Sequence, residues 1–243
     1  MQRKFLLSIA YATSIACFLS SCQSGEEKKS DTSAADTAVA VAKPVEPAPA
    51  PKPANVVVVK HKVANFAKWK SLYDSHDSVR LKYGLHNYIV ARGTKDSNMV
   101  MIALRMDDVN KAKEFAALPD LKATMQKGGV KGPPSFMYID MQMLDTTTNA
   151  SPNRVMITHK VKDWDAWKKE FDSHKQVRMD AGLTDRAVGY EFGDNHMVTI
   201  VDVVSDMKKA EAFMNSKDLK DKMTAAGVEG PPTIFYYKVV QRY

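Results

Sequence analysis

The chain has 243 residues, of which 44% are hydrophobic and 26% charged, and this composition excludes a wholly disordered protein. Its length allows one large domain or two domains of about 100 residues. The formal charge of +7 falls to +5 without Arg3 and Lys4, and no cluster mixes arginines with aromatic residues, which argues against a nucleic-acid partner.

The first 21 residues have the pattern of a secretory signal peptide. Arg3 and Lys4 form a basic start, and the apolar run from Phe5 to Leu19 is too short and too mixed for a membrane span. The run ends in Leu19-Ser20-Ser21-Cys22, which resembles the lipobox of bacterial lipoproteins, in which the cysteine thiol carries a diacylglyceryl group. We therefore expect a lipid anchor to the membrane at Cys22, with an ordinary signal peptide or an uncleaved anchor as the alternatives.

Residues 22–54 have the composition of a disordered tether. They are rich in Ser, Thr, Ala, Lys and Glu and end in a Pro-Ala run from Lys43 to Pro53, so they cannot form a core. Gln23 is not the aspartate that favours inner-membrane retention in some bacteria, and we expect the outer membrane or cell surface. Cys17 would leave with the signal and Cys22 would carry lipid, which excludes disulfides and Cys-ligated metals from the folded part.

The strongest pattern in the chain is an internal repeat, because a single shift of 98 residues aligns its two halves without a gap. We predict one repeat over residues 55–144, a polar linker over 145–153 and a second repeat over 154–243. The matching segments are His61-Lys62-Val63 with His159-Lys160-Val161, Trp69-Lys70 with Trp167-Lys168, Asp74-Ser75-His76 and Arg80 with Asp172-Ser173-His174 and Arg178, Asp120-Leu121-Lys122 with Asp218-Leu219-Lys220, and Gly132-Pro133-Pro134 with Gly230-Pro231-Pro232.

Each repeat changes its hydrophobic periodicity in a fixed order, which predicts a βαββαβ unit. We expect an antiparallel sheet with both helices on one face, a ferredoxin-like unit of the α+β class. The elements predicted for the first repeat are a strand Val56–Val63, a helix capped by Asn65 and running to Gly84, strands Asn87–Arg92 and Met99–Met106, a helix that starts near Asp108, restarts at Pro119 and ends at Gly128-Gly129, and a strand Phe136–Met143.

Two such units in one chain would cover their bare sheet faces by packing them together as an internal pseudo-dimer. The paired motifs, above all Asp-Ser-His-x-x-x-Arg and Gly-Val-x-Gly-Pro-Pro, resemble the dimeric α/β-barrel superfamily, in particular its antibiotic-biosynthesis-monooxygenase-like or "cyclase-like" members. That resemblance implies the fold and covers about 90 residues of each repeat. It implies chemistry less specifically, because the superfamily includes cofactor-free oxygenases of polycyclic aromatics and haem-degrading enzymes.

Four of the six histidines form two repeated pairs, and they suggest a site in each unit. His61 and His159 share the inward phase of their strands, while His76 and His174 lie in the apolar stripe of a helix, so all four are predicted to face a cleft between sheet and helices and to shuttle protons. The residues predicted to bind the ligand are the cleft walls Trp69, Tyr73, Trp167 and Phe171 and, for an anionic group, Arg80 and Arg178.

The structural alternative is that the helix histidine bonds a carboxylate or carbonyl and that the arginine pairs with Asp74 or another neighbour. We expect no metal, because two histidines without a carboxylate or thiolate are an incomplete ligand set. We expect no cofactor, with haem on His76 or His174 as a weaker alternative. Tyr83 and His86 become Ala181 and Thr184 in the second repeat, which predicts two clefts of different size.

Two classes of function follow from the sequence. The first is an envelope lipoprotein that binds a small apolar or aromatic molecule in the sheet–helix cleft, with or without cofactor-free monooxygenase chemistry. The second is a non-catalytic binding or assembly module on a tether.

Overall fold

The computed structural model describes residues 52–243, so the predicted signal peptide, Cys22 and residues 22–51 of the tether lie outside the described residues. None of the helices in residues 52–243 is long and apolar enough to span a membrane. The first repeat contains β1 (Val56–Val63), α1 (Phe66–Ser75), α2 (Asp77–Lys82), β2 (Leu85–Gly93), β3 (Met99–Met106), α3 (Val109–Ala116), α4 (Pro119–Lys127) and β4 (Val130–Leu144). The second contains β5 (Asn153–Val161), α5 (Trp164–Ser173), α6 (Lys175–Asp180), β6 (Leu183–Glu191), β7 (Asp194–Val204), α7 (Met207–Met214), α8 (Lys217–Ala225) and β8 (Val228–Arg242).

Short polar side chains start the helices as the sequence predicts. Asn65 accepts a hydrogen bond from the Lys68 backbone N–H at 2.9 Å, which confirms it as the cap of α1. Asp108 caps α3 in the same way, accepting from the N–H groups of Asn110 and Lys111. The predicted restart at Pro119 is also confirmed, because α4 begins at that residue.

The prediction of one continuous helix from Asn65 to Gly84 is wrong, because the helix breaks at His76. Its backbone, with φ −93° and ψ 12°, ends α1, and α2 starts at the next residue. The side chain of Arg80 stabilises the break by donating from Nη1 to the Tyr73 carbonyl at 2.7 Å. The second repeat breaks at His174 in the same manner.

The last strand of the first repeat is longer than predicted, since β4 begins at Val130 and not near Phe136. Pro133 and Pro134 lie within it, where the register of β1 against β4 shifts between Lys60 and Lys62. Prolines are tolerated at such an irregularity because the regular ladder of hydrogen bonds is interrupted there.

The eight strands form a closed antiparallel barrel in the order β1-β3-β2-β8-β5-β7-β6-β4. Each repeat contributes four adjacent strands in ferredoxin-like order, and two seams, β2 with β8 and β4 with β6, join the repeats. The predicted α+β fold, with two ferredoxin-like units as an internal pseudo-dimeric barrel, is thereby confirmed.

The barrel wall separates three apolar cores. One core fills the barrel interior with residues of both repeats, among them Met101, Met156 and Tyr237. Each of the other two lies outside the wall, between one four-stranded sheet and its own helices, around Trp69 or Trp167. The predicted clefts belong to these two outer layers.

Candidate functional site

The five residues predicted to form the site of the first repeat line one cavity. This first cleft lies between the sheet and the helices and has a volume of about 60 Å³. Its predicted lining residues are His61, Trp69, Tyr73, His76 and Arg80.

The corresponding five residues of the second repeat also meet in one cavity. This second cleft has a volume of about 90 Å³, and its predicted lining residues are His159, Trp167, Phe171, His174 and Arg178. The phases of strand and helix alone therefore located both clefts, although both are far smaller than the roughly 300–1,000 Å³ of pockets for drug-sized ligands.

The strand histidines are deeply buried and unpaired. His61 is 3% exposed and His159 is 6% exposed, and within residues 52–243 neither ring has a hydrogen-bond partner on either nitrogen. Each ring lies 5.5 Å from the indole of its repeat, Trp69 or Trp167. Burial lowers the pKa of both histidines to about 4, so both are neutral at physiological pH.

The helix histidines lie at the helix breaks and are half-buried, with their side chains on the edge of the clefts. Burial, followed by the charge of Arg80, lowers the pKa of His76, while Asp120 acts in the opposite direction. Neither His76 nor His174 makes a side-chain hydrogen bond to any residue from 52 to 243, so each ring is free to contact a molecule in its cleft.

The two arginines are occupied within the chain. Arg80 donates to the Tyr73 carbonyl and, at 3.2 Å, to Asp77. Arg178 donates to the Phe171 carbonyl at 2.6 Å and, through Nε and Nη2, to both carboxylate oxygens of Asp185 at 2.8 Å. This geometry favours the alternative in which the arginines pair with neighbouring groups of the chain over the binding of an anionic ligand.

Sequence reasoning missed Asp202, a fully buried carboxylic acid on β7 that lines the second cleft. Neither of its carboxyl oxygens has a hydrogen-bond partner among residues 52–243. Burial, aided by the charge of Asp185 and opposed by that of Arg178, raises the pKa of Asp202 to about 7. The signal in the sequence was an acid in an apolar strand at the position where the first repeat has Leu104.

The two clefts do differ in volume, but not through the substitutions that the sequence suggested. Tyr83 does not line the first cleft but packs on Phe115, which does, and His86 is exposed beside Asp107. Among the positions that differ between the two linings, Leu72 to Glu170, Leu104 to Asp202 and Thr124 to Lys222 bring ionisable groups to the second cleft, while Tyr73 to Phe171 removes a hydroxyl.

In the closed state of this structure neither cleft accommodates a haem. Residues 52–243 contain no group of three His, Cys, Asp or Glu side chains that could hold a metal ion. A haem macrocycle on His76 or His174 would need several times the volume of either cleft. We therefore derive no step through a cofactor.

No protein-family model and no curated protein matches this sequence. Solved structures do match, among them a proposed monooxygenase from Fusobacterium nucleatum with a TM-score of 0.53 and 15% identity over 77% of this chain and 93% of that chain. A proposed monooxygenase from Lactobacillus acidophilus has a TM-score of 0.50 and 10% identity over 76% of this chain and 93% of that chain. An anthrone oxidase-like protein has a TM-score of 0.52 and 14% identity over 78% of this chain and 92% of that chain.

At these identities the likeness concerns the fold alone. It confirms, at the level of fold, the similarity to the monooxygenase-like dimeric α/β barrels that the paired motifs indicated.

Proposed function

We propose that this protein binds a small, mainly apolar or aromatic molecule in its second cleft, where His159 and Asp202 are the polar groups that recognise it. The observation that carries the proposal is that both side chains are buried and lack hydrogen-bond partners among residues 52–243. An unpaired buried polar group costs about 1–3 kcal/mol, and a ligand that bonds to it would recover much of that free energy.

The strand register gives the shape of the expected ligand. Asp202 pairs with Val155, and His159 lies four residues further along β5, so the two polar groups are roughly 13 Å apart along the cleft. Trp167 and Phe171, which stack at 5.0 Å, form the apolar wall on the helix side. A flat molecule with a polar group at each end would match this pattern.

A ligand of that length needs more room than the 90 Å³ of the second cleft, so an element of its wall has to move. The candidate is α8, which contributes Leu219, Lys222 and Met223 to the cleft but has no fully buried residue. Elements with few buried contacts open at the lowest free energy.

The geometry supports binding better than proton abstraction. The neighbours' names include a proposed monooxygenase and an anthrone oxidase-like protein. An oxygenation without a cofactor would begin with removal of a proton from the substrate. A histidine whose pKa is about 4 is a weak base at neutral pH. We therefore propose a binding protein, which agrees with the non-catalytic alternative, and monooxygenase chemistry only with Asp202, whose pKa is raised to about 7, as the base.

The experiment compares the full-length wild type with Asp202→Leu, which installs the side chain of the first repeat. Thermal unfolding and calorimetry with 2,6-dihydroxynaphthalene and 4,4′-dihydroxybiphenyl, which are flat and carry a hydroxyl at each end, should show stabilisation of the wild type. Asp202→Leu should raise the Tm of the unliganded protein at pH 7, because burial of this acid costs roughly 4 kcal/mol there, and should abolish the stabilisation by ligand. His159→Leu should also lose binding.

The matched control is His61→Leu, which removes the equivalent histidine from the first cleft and should leave ligand binding unchanged. Equal stabilisation of the wild type and Asp202→Leu by the same ligand would contradict the proposal. Loss of stability in unliganded Asp202→Leu would show that Asp202 has a structural role.

We further propose that this binding domain is attached to the bacterial envelope through a lipid on Cys22, with residues 23–54 as a spacer. The support is the order of basic start, apolar run and Leu19-Ser20-Ser21-Cys22. Cys22→Ser should abolish the incorporation of radiolabelled palmitate that the wild type shows, whereas Cys17→Ser should retain the label. Labelling of Cys22→Ser at the level of the wild type would contradict the anchor.

A further inference from the structure

A third cavity, of about 70 Å³, lies inside the barrel, at the end where β1 and β5 begin and β4 and β8 end. Both repeats contribute to its mainly apolar wall. Three arginines, Arg154, Arg186 and Arg242, also line it, and the described residues that line it include no Asp or Glu. The cavity is separated from both clefts by the barrel wall.

Arg154 is the central group of this cavity. It is 2% exposed, and its Nη1 donates to the carbonyls of Ser151 and Asn153 at 2.5 and 2.7 Å. Its Nη2 is buried and has no hydrogen-bond partner among residues 52–243. A buried guanidinium without a carboxylate is unfavourable unless another anion neutralises it.

The other two arginines come from two further strands: Arg242 from β8, which pairs with β5, and Arg186 from β6, which is separated from β5 by β7. Arg186 is the extra residue where the register of β6 against β7 shifts between Asp185 and Ala187, and it donates to the Thr147 carbonyl at 2.6 Å. Arg242 lies at the exposed end of β8, opposite Ile89. Burial and the charges of these two arginines lower the pKa of Arg154, with Tyr237 and Tyr88 acting in the opposite direction.

The fold itself does not require this concentration of charge. In the first repeat the positions equivalent to the three arginines are occupied by Val56, Tyr88 and Leu144, and all three line the same cavity. The arginines that line this cavity therefore all come from the second repeat. Their positive charges repel one another, which is unfavourable for the unliganded fold.

We propose that Arg154, Arg186 and Arg242 form a binding site for a small oxyanion, a carboxylate or phosphate group, inside this end of the barrel. The planar guanidinium matches the paired oxygens of both groups. A volume of about 70 Å³ accommodates the oxyanion group, since a water molecule occupies about 30 Å³ in the liquid. The site is independent of the binding proposed for the second cleft.

The test uses the full-length chain in sodium phosphate, sodium acetate or sodium chloride at equal ionic strength. Phosphate or acetate should raise the Tm above its value in chloride and should bind with a stoichiometry of one by calorimetry. The anion that binds with the higher affinity shows whether the site prefers a phosphate or a carboxylate group. Arg154→Met should reduce that affinity at least tenfold, and Arg242→Gln should reduce it severalfold. Arg92→Gln, which removes an arginine that stacks on Phe66 elsewhere, should bind as the wild type does.

Two results would overturn the proposal. If the oxyanion stabilises the wild type and Arg154→Met equally, the rise in Tm comes from general exclusion of the salt from the protein surface and not from binding at this site. No preference of the wild type for either oxyanion over chloride would remove the site altogether. If Arg154→Met fails to fold, the proposal is contradicted when both Arg186→Gln and Arg242→Gln bind the oxyanion with the affinity of the wild type.

Discussion

Three buried residues, His61, His159 and Asp202, make opposing contributions to the stability of the folded protein in mild acid. The histidines have a pKa of about 4 in the fold and 6.5 as free side chains. Between these pH values they are protonated only in the unfolded chain, so acid favours unfolding. Each full shift corresponds to about 3 kcal/mol. Asp202 acts with the opposite sign. Its pKa is about 7 in the fold and 3.8 in the unfolded chain, so between these pH values it is protonated in the fold and ionised in the unfolded chain.

The pH dependence of stability therefore tests the burial of these groups. As the pH falls from 6.5 to about 4, the unfolded chain takes up two protons at the histidines, while the folded chain already holds one at Asp202. The net of one proton predicts that these groups lower stability by about 1.4 kcal/mol per pH unit. His159→Leu removes one of the two opposing histidines and should reduce the measured slope by about 1.4 kcal/mol per pH unit, in urea unfolding at pH 4.5, 5.5 and 6.5.

The control for this measurement is Ile157→Leu, a substitution on the same strand that changes no titratable group and should keep the slope of the wild type. A slope in His159→Leu equal to that of the wild type would show that His159 titrates in the fold as it does in the unfolded chain. The proposed recognition role would then lose its main support, since a water-accessible imidazole does not need a ligand partner.

At the scale of the elements, the sequence predicts where helices begin from side chains nearby in the chain, but it does not predict contacts between elements. The caps Asn65 and Asp108 and the restart at Pro119 depend on side chains within four residues, and all three were predicted correctly. The break at His76 was missed because the apolar spacing continues through it without Gly or Pro. The break is stabilised by the hydrogen bond from Arg80 to the Tyr73 carbonyl, which hydrophobic periodicity does not predict.

The same distinction explains what was found and missed in the candidate site. Strand and helix phases predict which side chains share a face, and they brought five residues of each repeat to one cleft. They do not predict partners, so the engagement of Arg178 by Asp185 was visible only in the structure. Asp202 was detectable only by comparing it with Leu104 at the repeat distance, because strand patterning alone treats one acid as an interruption.

At the scale of the whole molecule, duplication predicted that the two sheets would pair but not how the barrel closes. The two seams are related by the repeat, yet they are not built from the same residues. In the seam between β4 and β6, Gly189 pairs with Met141, and a Cβ added to it would lie 2.5 Å from the Asp140 carbonyl oxygen. In the seam between β2 and β8 the equivalent residue is Ala91, which is fully buried and pairs with Val239.

This asymmetry predicts that one seam depends on glycine and the other does not. Gly189→Ala should destabilise the protein by about 1–3 kcal/mol, since the clash is with backbone and the strands have to separate to relieve it. Ala91→Gly, the matched change at the other seam, should cost about 1.3–1.8 kcal/mol, as the sum of a lost buried methyl group and the greater freedom of the unfolded chain. Urea unfolding measures both differences.

Hydrogen exchange then shows where each change acts. In Gly189→Ala the amides of β4 and β6 should lose protection while those of β2 and β8 keep it, because the two seams are on opposite sides of the barrel. Equal loss at both seams would mean that the barrel opens as one cooperative unit. Unchanged stability in Gly189→Ala would mean that the strands of this seam can separate without loss, and the barrel would then be held together by its interior core rather than by closure.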